Sequence, residues 1–346
     1  IQELFGYNRF KWEKNIEPIK FEKEKKKFVE NMQQLSIVAI EYFFDLATAQ
    51  KNLEIARLNL ANADTLYSIG QRKIRILSIS KADLLTLKLD LINAKNELEI
   101  SQKELKRAEF RFHSFLGLEE NENINLVLPD SIIFFTVSPA RVIEKAKDNN
   151  PDILLFRQQQ LEAEKRLEKI KTESRFQAHL SASYGLNQRN EKFNDAYKNP
   201  LDQQKLMVSL NMPIIDWGQR KGKYNLAKRE HEVTLATIRQ SKIDFDQEAI
   251  ILAEEFNLQA GFVESARETK KIAQIVYETN KKRFLNGEID IYTLNITRER
   301  RDAAQLNYVD ALYNYWLNYY KIRKLTLFDF EKNESLIESE NYLIKY

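Results

Sequence analysis

The sequence predicts a mainly α-helical chain of long antiparallel coiled-coil helices, interrupted by one β-hairpin of membrane-strand character and built on an internal duplication. Three observations predict this class: few turn-forming residues, apolar residues at unbroken three-and-four spacing, and one segment that switches to strict alternation. The 346 residues include only 8 Gly and 6 Pro, against the ~7% and ~5% of an average chain. Turns are therefore few and the elements between them long.

Composition removes several functional classes. With 43% apolar and 30% charged side chains, the chain is too hydrophobic for disorder and too charged for a polytopic helical membrane protein. No run of 18 apolar residues encodes a transmembrane helix. Fifty-four Lys plus Arg against 51 Asp plus Glu leave a net charge of +3, which gives no reason to expect nucleic acid as a partner. The absence of Cys excludes disulfides, thiolate zinc sites and cysteine nucleophiles. His113, His179 and His231 stand singly on different elements, and the sequence contains no phosphate loop, nucleophile elbow or dinucleotide fingerprint. It predicts no enzyme, no cofactor and no metal site.

The helices come first. From Met32 the series Leu35, Ala39, Tyr42, Leu46, Ala49, Leu53, Ala56, Leu60, Ala63, Tyr67 keeps coiled-coil spacing, as does Leu84, Leu87, Leu91, Ala94, Leu98, Leu105, Ala108, Phe112. Small residues alternating with large ones permit close, interlocking approach of neighbouring helices. The second half repeats the pattern at Phe245, Ala249, Leu252, Phe256, Ala260 and Val263. Its helix runs from about Gly218 to Phe284 without a proline, a rod of roughly 100 Å at 1.5 Å per residue. A single stripe of this kind also suits an ordinary buried core; the length and the pairing across a short turn favour an extended helical assembly.

The order of elements occurs twice. Leu4-Phe5-Gly6-Tyr7 matches Ile214-Ile215-Asp216-Trp217 at an offset of 210 residues, Gly70 matches Gly287 at 217, and Ile74-Arg75-Ile76 matches Ile289-Asp290-Ile291 at 215. The chain accordingly divides into a first structural repeat (1–118), a belt insert (119–149), a second repeat (150–328) and a C-terminal belt segment (329–346). Within the belt, Ile124 to Leu128 and Ile132 to Phe135 read as short strand, and Ser138-Pro139 and Asn150-Pro151 open helices.

The alternating segment lies at about 177–215. Ala178, Leu180, Ala182, Tyr184 and Leu186 alternate with polar or small residues; after a polar loop, Leu206, Val208, Leu210 and Met212 do the same. Each arm of about 10 residues has the length of a tilted membrane strand. The alternative is a hairpin lying on a soluble core. In lipid, however, a lone hairpin leaves unpaired backbone groups at its edges, and about 8 strands are the minimum for a closed barrel. Copies joined by cyclic symmetry would supply the rest.

Taken together, these residues resemble the TolC-like outer-membrane efflux protein family over essentially the whole chain. The resemblance rests on Asn150-Pro151-Asp152-Ile153, on Leu180 to Leu186 followed by Val208-Ser209-Leu210-Asn211-Met212-Pro213-Ile214-Ile215-Asp216-Trp217-Gly218-Gln219-Arg220, and on Asn286-Gly287-Glu288-Ile289-Asp290-Ile291 with Ala303, Ala304, Tyr308, Ala311 and Tyr315 behind it. It implies a homotrimer with a 12-stranded β-barrel in the outer membrane, continuous with an α-barrel of 12 helices in the periplasm. The implied role is a passive exit duct of a tripartite efflux pump or type I secretion system. The implied partners are outer-membrane lipid, a periplasmic adaptor and an inner-membrane transporter. The family's first helix and first strand would precede Ile1, so the chain is expected to be a partial protomer. The rival reading is a soluble coiled-coil structural or adaptor-type periplasmic protein.

The resemblance also assigns sites. Pro213, Trp217 and Gly218 mark the junction of barrel and tunnel, although Glu3 and Gln177 stand at other junctions where a proline could be expected. Ile69-Gly70 and Asn286-Gly287 fall at the tips that would dock the adaptor; each Gly equally suits a plain helix C-cap. Arg72, Arg75, Glu288, Asp290, Tyr292 and Asn295 surround the candidate periplasmic aperture, Tyr292 and Asn295 standing where some relatives place acidic rings. Glu288 and Asp290 with Arg72, Lys73 and Arg75 could form a closing salt-bridge set, or simply a solvated tip.

Overall fold

The computed structural model describes residues 2–5, 7–76, 79–118, 124, 126–128, 132, 134–173, 177–187, 201–211 and 215–340. In chain order these form β1 (Gln2–Phe5), α1 (Arg9–Arg75), α2 (Lys81–Leu116), α3 (Pro139–Asn149), α4 (Pro151–Glu173), β2 (Gln177–Asn187), β3 (Leu201–Asn211), α5 (Gln219–Asn286), α6 (Ile291–Thr326), β4 (Phe328–Asp329), β5 (Glu334–Ser335) and α7 (Leu336–Glu340). Residues 1–28 with 150–247 make one compact unit, and 29–149 with 248–346 make the other. No helix among the described residues is long and apolar enough to cross a membrane.

The duplication is more regular than the sequence suggests. Helices α1 and α5 begin 210 residues apart and run 67 and 68 residues. Helices α2 and α6 begin at the same offset and both run 36 residues. Their N-caps, Ser80 and Asp290, are again 210 apart and do the same work: each side chain accepts the backbone N–H three residues on, from Asp83 at 3.0 Å and from Thr293 at 2.8 Å. Asp83 returns a bond to the Ser80 backbone N–H at 3.0 Å, completing a capping box.

That register corrects one expectation. Gly70 is not the counterpart of Gly287 and does not lie in a turn. Helix α1 continues through it to Arg75, and α2 begins at Lys81. Gly70 is buried, and a Cβ built on it would stand 2.6 Å from Leu87 Cδ1 and 3.3 Å from Leu84 Cδ1. Its missing side chain serves close packing of α1 on α2. Gly287 does turn the chain: at φ 79° its N–H donates to Phe284 O at 3.0 Å while the Glu288 N–H donates to Arg283 O at 2.9 Å, the paired bonds of a Schellman cap.

In the first unit the three strands form one antiparallel sheet in the order β1-β2-β3. Strands β2 and β3 pair without interruption from Gln177↔Asn211 to Asn187↔Leu201, whereas β1 pairs with β2 across a bulge between Glu3 and Phe5. Residues opposite one another share a face. Leu180↔Val208, Ala182↔Leu206 and Tyr184↔Gln204 fall on one face; Ser181↔Met207, Ser183↔Lys205 and Gly185↔Gln203 fall on the other. The apolar face has no cover: Tyr184 and Leu206 are each 72% exposed.

The second unit holds the packed helices. Leu66, Leu87, Tyr277, Phe284, Ile291 and Leu294 cluster near the helix ends, and Leu46, Ala49, Ala108 and Phe112 cluster farther along. The predicted short strands at 124–128 and 132–135 are not strands among the described residues. Side-chain amides replace the strand partner: Gln50 donates to Ile124 O at 2.8 Å and accepts from Leu126 N at 3.2 Å, and Asn257 brackets the Val137 backbone with two bonds of 2.9 Å. A seam of aromatic rings (Phe135, Phe256, Tyr315, Tyr319) lies under this strap. The C-terminal segment turns on Asp329, which accepts from the buried Tyr319 hydroxyl at 2.9 Å and from the Glu331 and Lys332 backbone N–H groups.

Two outcomes follow from this packing. Gly70→Val should destabilise the second unit by about 1–3 kcal/mol through overpacking, seen as earlier thermal unfolding, and Leu87→Ala in the same chain should recover part of the loss. Burial pushes the Tyr315 phenol up to about 12, and burial followed by the Asp329 hydrogen bond raises Tyr319 as well. Both phenols ionise more readily unfolded, so their contribution is complete below the ordinary value of 10.0 and fades as pH rises through the folded-state values. Urea midpoints taken from neutral to strongly alkaline pH should fall above about 10, and less steeply in Tyr315→Phe/Tyr319→Phe.

Candidate functional site

Two places concentrate the predicted site residues: the helix reversals in the second unit and the strand-to-helix junction in the first. At the reversals, Asn286 is the last residue of α5 and Gly287 its left-handed cap. Asn286 Nδ2 donates to Glu288 Oε1 at 3.1 Å, and Arg283 Nε meets Glu288 Oε2 at 3.3 Å, so Glu288 closes the turn on its own helix. Asp290 caps α6; the Thr293 hydroxyl and then its backbone N–H hold the Asp290 carboxyl below its ordinary range. Lys73 donates to Leu285 O at 2.8 Å and lies over the Phe284 ring at 5.8 Å. It thereby neutralises carbonyls that the end of α5 leaves without helical partners.

The proposed salt-bridge set is therefore not made within the chain. Among the described residues, Arg72, Lys73 and Arg75 do not pair with Glu288 or Asp290, because each of the two acids already has a local partner and Lys73 is spent on α5 carbonyls. Ile69 and Gly70 lie inside α1, away from the reversal. Tyr292 is 71% exposed, while Asn295 reaches across to α2 and donates to Asp90 Oδ2 at 3.0 Å. Lys73, Ile79, Asp83, Leu87, Phe284 and Ile289 line a cleft of about 340 Å³ between the two reversals.

Sequence reasoning missed the polar links behind the tips. Arg301 of α6 is fully buried. Its Nε donates to Asp302 Oδ1 at 2.8 Å, its Nη2 donates to Asn59 Oδ1 of α1 at 2.6 Å, and the guanidinium lies 4.2 Å above the Tyr277 ring of α5. Asn59 Nδ2 in turn donates to Asp302 Oδ2 at 2.8 Å. Lys281 of α5 donates to Asn62 of α1 at 2.7 Å. The run Arg298-Glu299-Arg300-Arg301-Asp302 reads as a solvated face, but Arg301 falls in the seam of Leu294, Thr297, Ala304 and Tyr308, all buried. Tracking the seam through the charged run would have found it.

At the junction, Pro213 lies outside the described residues. Trp217 and Gly218 both take left-handed backbone, at φ 50° and 82°. Asp216 organises them: it accepts from Gly218 N at 3.3 Å, from Arg220 N at 3.0 Å and from Arg220 Nε at 2.6 Å. The Arg220 side chain, then its backbone N–H, holds the Asp216 carboxyl below its ordinary range. No group of three or more His, Cys, Asp or Glu suited to a metal occurs among the described residues. What these sites offer is mechanical: polar links that fix one helix pair to the other.

Arg301→Gln should destabilise the second unit by about 3 kcal/mol, since it removes one member of a buried charged pair. Asn59→Ala should cost less. Thermal unfolding of both variants checks the order.

The comparisons agree with this architecture. No curated protein matches the sequence. Among solved structures, the Campylobacter jejuni CmeC outer membrane channel superposes with a TM-score of 0.75 at 13% identity, over 96% of this chain and 71% of that one. The outer membrane protein VceC of Vibrio cholerae gives 0.69 at 13% identity, over 91% and 76%. The open state of the Neisseria gonorrhoeae MtrE outer membrane channel gives 0.64 at 14%, over 87% and 67%. At such identities the likeness establishes the fold. The family model described as outer membrane efflux protein matches residues 142–339, more than half of the chain, and with the duplicated helices and the strand register this places the chain in the outer membrane efflux protein family.

Proposed function

We propose that three copies of this chain assemble into the outer-membrane exit duct of a tripartite efflux pump or type I secretion system. One observation carries the reading. A three-stranded sheet with an exposed apolar face and two edge strands shares its chain with two helix pairs of matched length. Strands of several copies would close one wall, four per copy giving twelve once a further strand joins β1 to β3. The helix pairs would continue that wall as a hollow periplasmic tunnel. Transport through it is passive, and an inner-membrane transporter supplies the energy.

The opening step is placed at the reversals. A periplasmic adaptor engages Asn286-Gly287 on one helix pair and the connection between α1 and α2 on the other. It displaces the helix ends outward in an iris-like motion. The links to be broken or carried along are Lys73 to the α5 carbonyls, Asn295 to Asp90, and the Arg301 cluster.

Gly287→Trp tests the docking assignment, with Gly287→Ala as its control for backbone strain at positive φ. Gly287→Trp should abolish efflux and adaptor cross-linking while the trimer persists, and Gly287→Ala should retain most of both. Unchanged cross-linking in Gly287→Trp would remove the docking role.

A further inference from the structure

Two Asn-X-Ser/Thr triplets occur in the chain, Asn295-Ile296-Thr297 and Asn333-Glu334-Ser335. Such a triplet accepts N-linked glycan where an exposed loop presents it outside the cytoplasm. The fold treats the two in opposite ways. Asn295 lies inside α6 and donates to Asp90 Oδ2 at 3.0 Å, and the buried Thr297 hydroxyl donates to Leu294 O at 2.8 Å. A transferase would have to unwind the helix to reach either. Asn333 instead ends the loop 330–333 that joins β4 to β5.

That loop holds its triplet outward. Phe328↔Ser335 and Asp329↔Glu334 close its base, and the buried Asp329 accepts the Glu331 and Lys332 backbone N–H groups at 3.0 and 3.1 Å. Arg141 of α3 braces it from the side, 5.7 Å from the Phe328 and Phe330 rings. Asn333 takes left-handed backbone at φ 58°, so the chain bends at the acceptor itself. Glu331, Lys332, Asn333 and Glu334 are all exposed.

The side chains suit the reaction. A carboxamide nitrogen is a weak nucleophile because its lone pair is delocalised into the carbonyl, and an enzyme that activates it must first grip the whole group. Arg141 Nη2 donates to Asn333 Oδ1, but Asn333 Nδ2 has no acceptor and the Ser335 hydroxyl no partner among the described residues. Two residues before the acceptor stands Glu331, which touches only the Tyr319 hydroxyl, at 3.4 Å. Its carboxylate gives a cationic groove a charge to hold. The same place before Asn295 is taken by Thr293, which carries no charge.

We propose that Asn333 is an N-glycan acceptor, and that the donor is an oligosaccharide carried on a polyprenyl diphosphate in the periplasm. Asn333 Nδ2 bonds to C1 of the first sugar, the C1–O bond to the diphosphate breaks, polyprenyl diphosphate leaves, and one Nδ2 proton passes to a carboxylate of the transferase. Glu331 and Ser335 position the segment and take no part in bond making. The acceptor is separate from conduction and stands whichever substrate the duct carries.

The folded chain is incubated with a single-subunit bacterial oligosaccharyltransferase and an undecaprenyl-diphosphate-linked oligosaccharide of known mass. Peptide mass spectrometry should find one oligosaccharide on the peptide that carries Asn333 and none on the peptide that carries Asn295. Asn333→Gln and Ser335→Ala should abolish transfer, and Ser335→Thr should retain it. Glu331→Gln should slow transfer by more than about tenfold, as loss of one partner of a charge pair, and Glu331→Asp should recover most of the rate. The Asn333 peptide from cells that make the chain naturally should carry the same linkage. Absence of transfer to the folded chain, whether or not heat-unfolded chain is modified, overturns the acceptor. So does an unmodified Asn333 in the natural cells. Equal modification of Asn295 overturns selection by the hairpin, and a rate unchanged in Glu331→Gln overturns the role of that carboxylate.

Discussion

Every backbone N–H and C=O placed in lipid must find a partner inside the protein, because nothing in the hydrocarbon layer can supply one. The sheet of this chain meets that demand on both sides of β2 and leaves the outward sides of β1 and β3 as edges. Most other features make sense in relation to that shortfall. The apolar face of β2 and β3 is turned outward without cover, which a soluble unit would bury. The closed wall shared between copies proposed above would satisfy the edges and give the long helices neighbours along their length.

The helical half was legible because its signals are local and repeated. A seam kept over many turns can be counted, and the alternation at 178–186 and from Leu206 onward predicts the strand face that the register then displays. The two glycines show where such reading stops. Gly70 and Gly287 are the same residue type, each near the end of a long helix. One sits inside the helix because Leu87 needs the space, and the other ends a helix because the backbone must turn left-handed. Sequence states the residue, while packing states which of its two properties is used. The belt failed for a related reason. Its alternating Ile and Leu positions have the pattern of strands, but their backbone bonds go to Gln50 and Asn257, amides on distant helices that no local pattern connects to them. Arg301 was hidden by its charged neighbours, although its place in the seam was countable.

The buried polar links change how the helix pairs behave as mechanical parts. Apolar seams let helices slide by small amounts at little cost, because many similar contacts replace one another. A buried guanidinium shared between Asn59, Asp302 and the Tyr277 ring has no such set of neighbouring states. Movement of α6 relative to α1 must either keep that arrangement or give up both Asn59 bonds, since Asp302 travels with Arg301 on α6. The helix pairs are therefore coupled through a discrete contact.

The equal lengths of α2 and α6, with N-caps 210 residues apart, carry an evolutionary consequence. Adding or removing a turn in one pair alone would set its reversal at a different height from its counterpart. A ligand that grips both would then meet only one. Under the proposed docking, insertions and deletions in these helices would have to come in matched doublets, so that length drifts as one shared quantity while the sequences of the halves diverge.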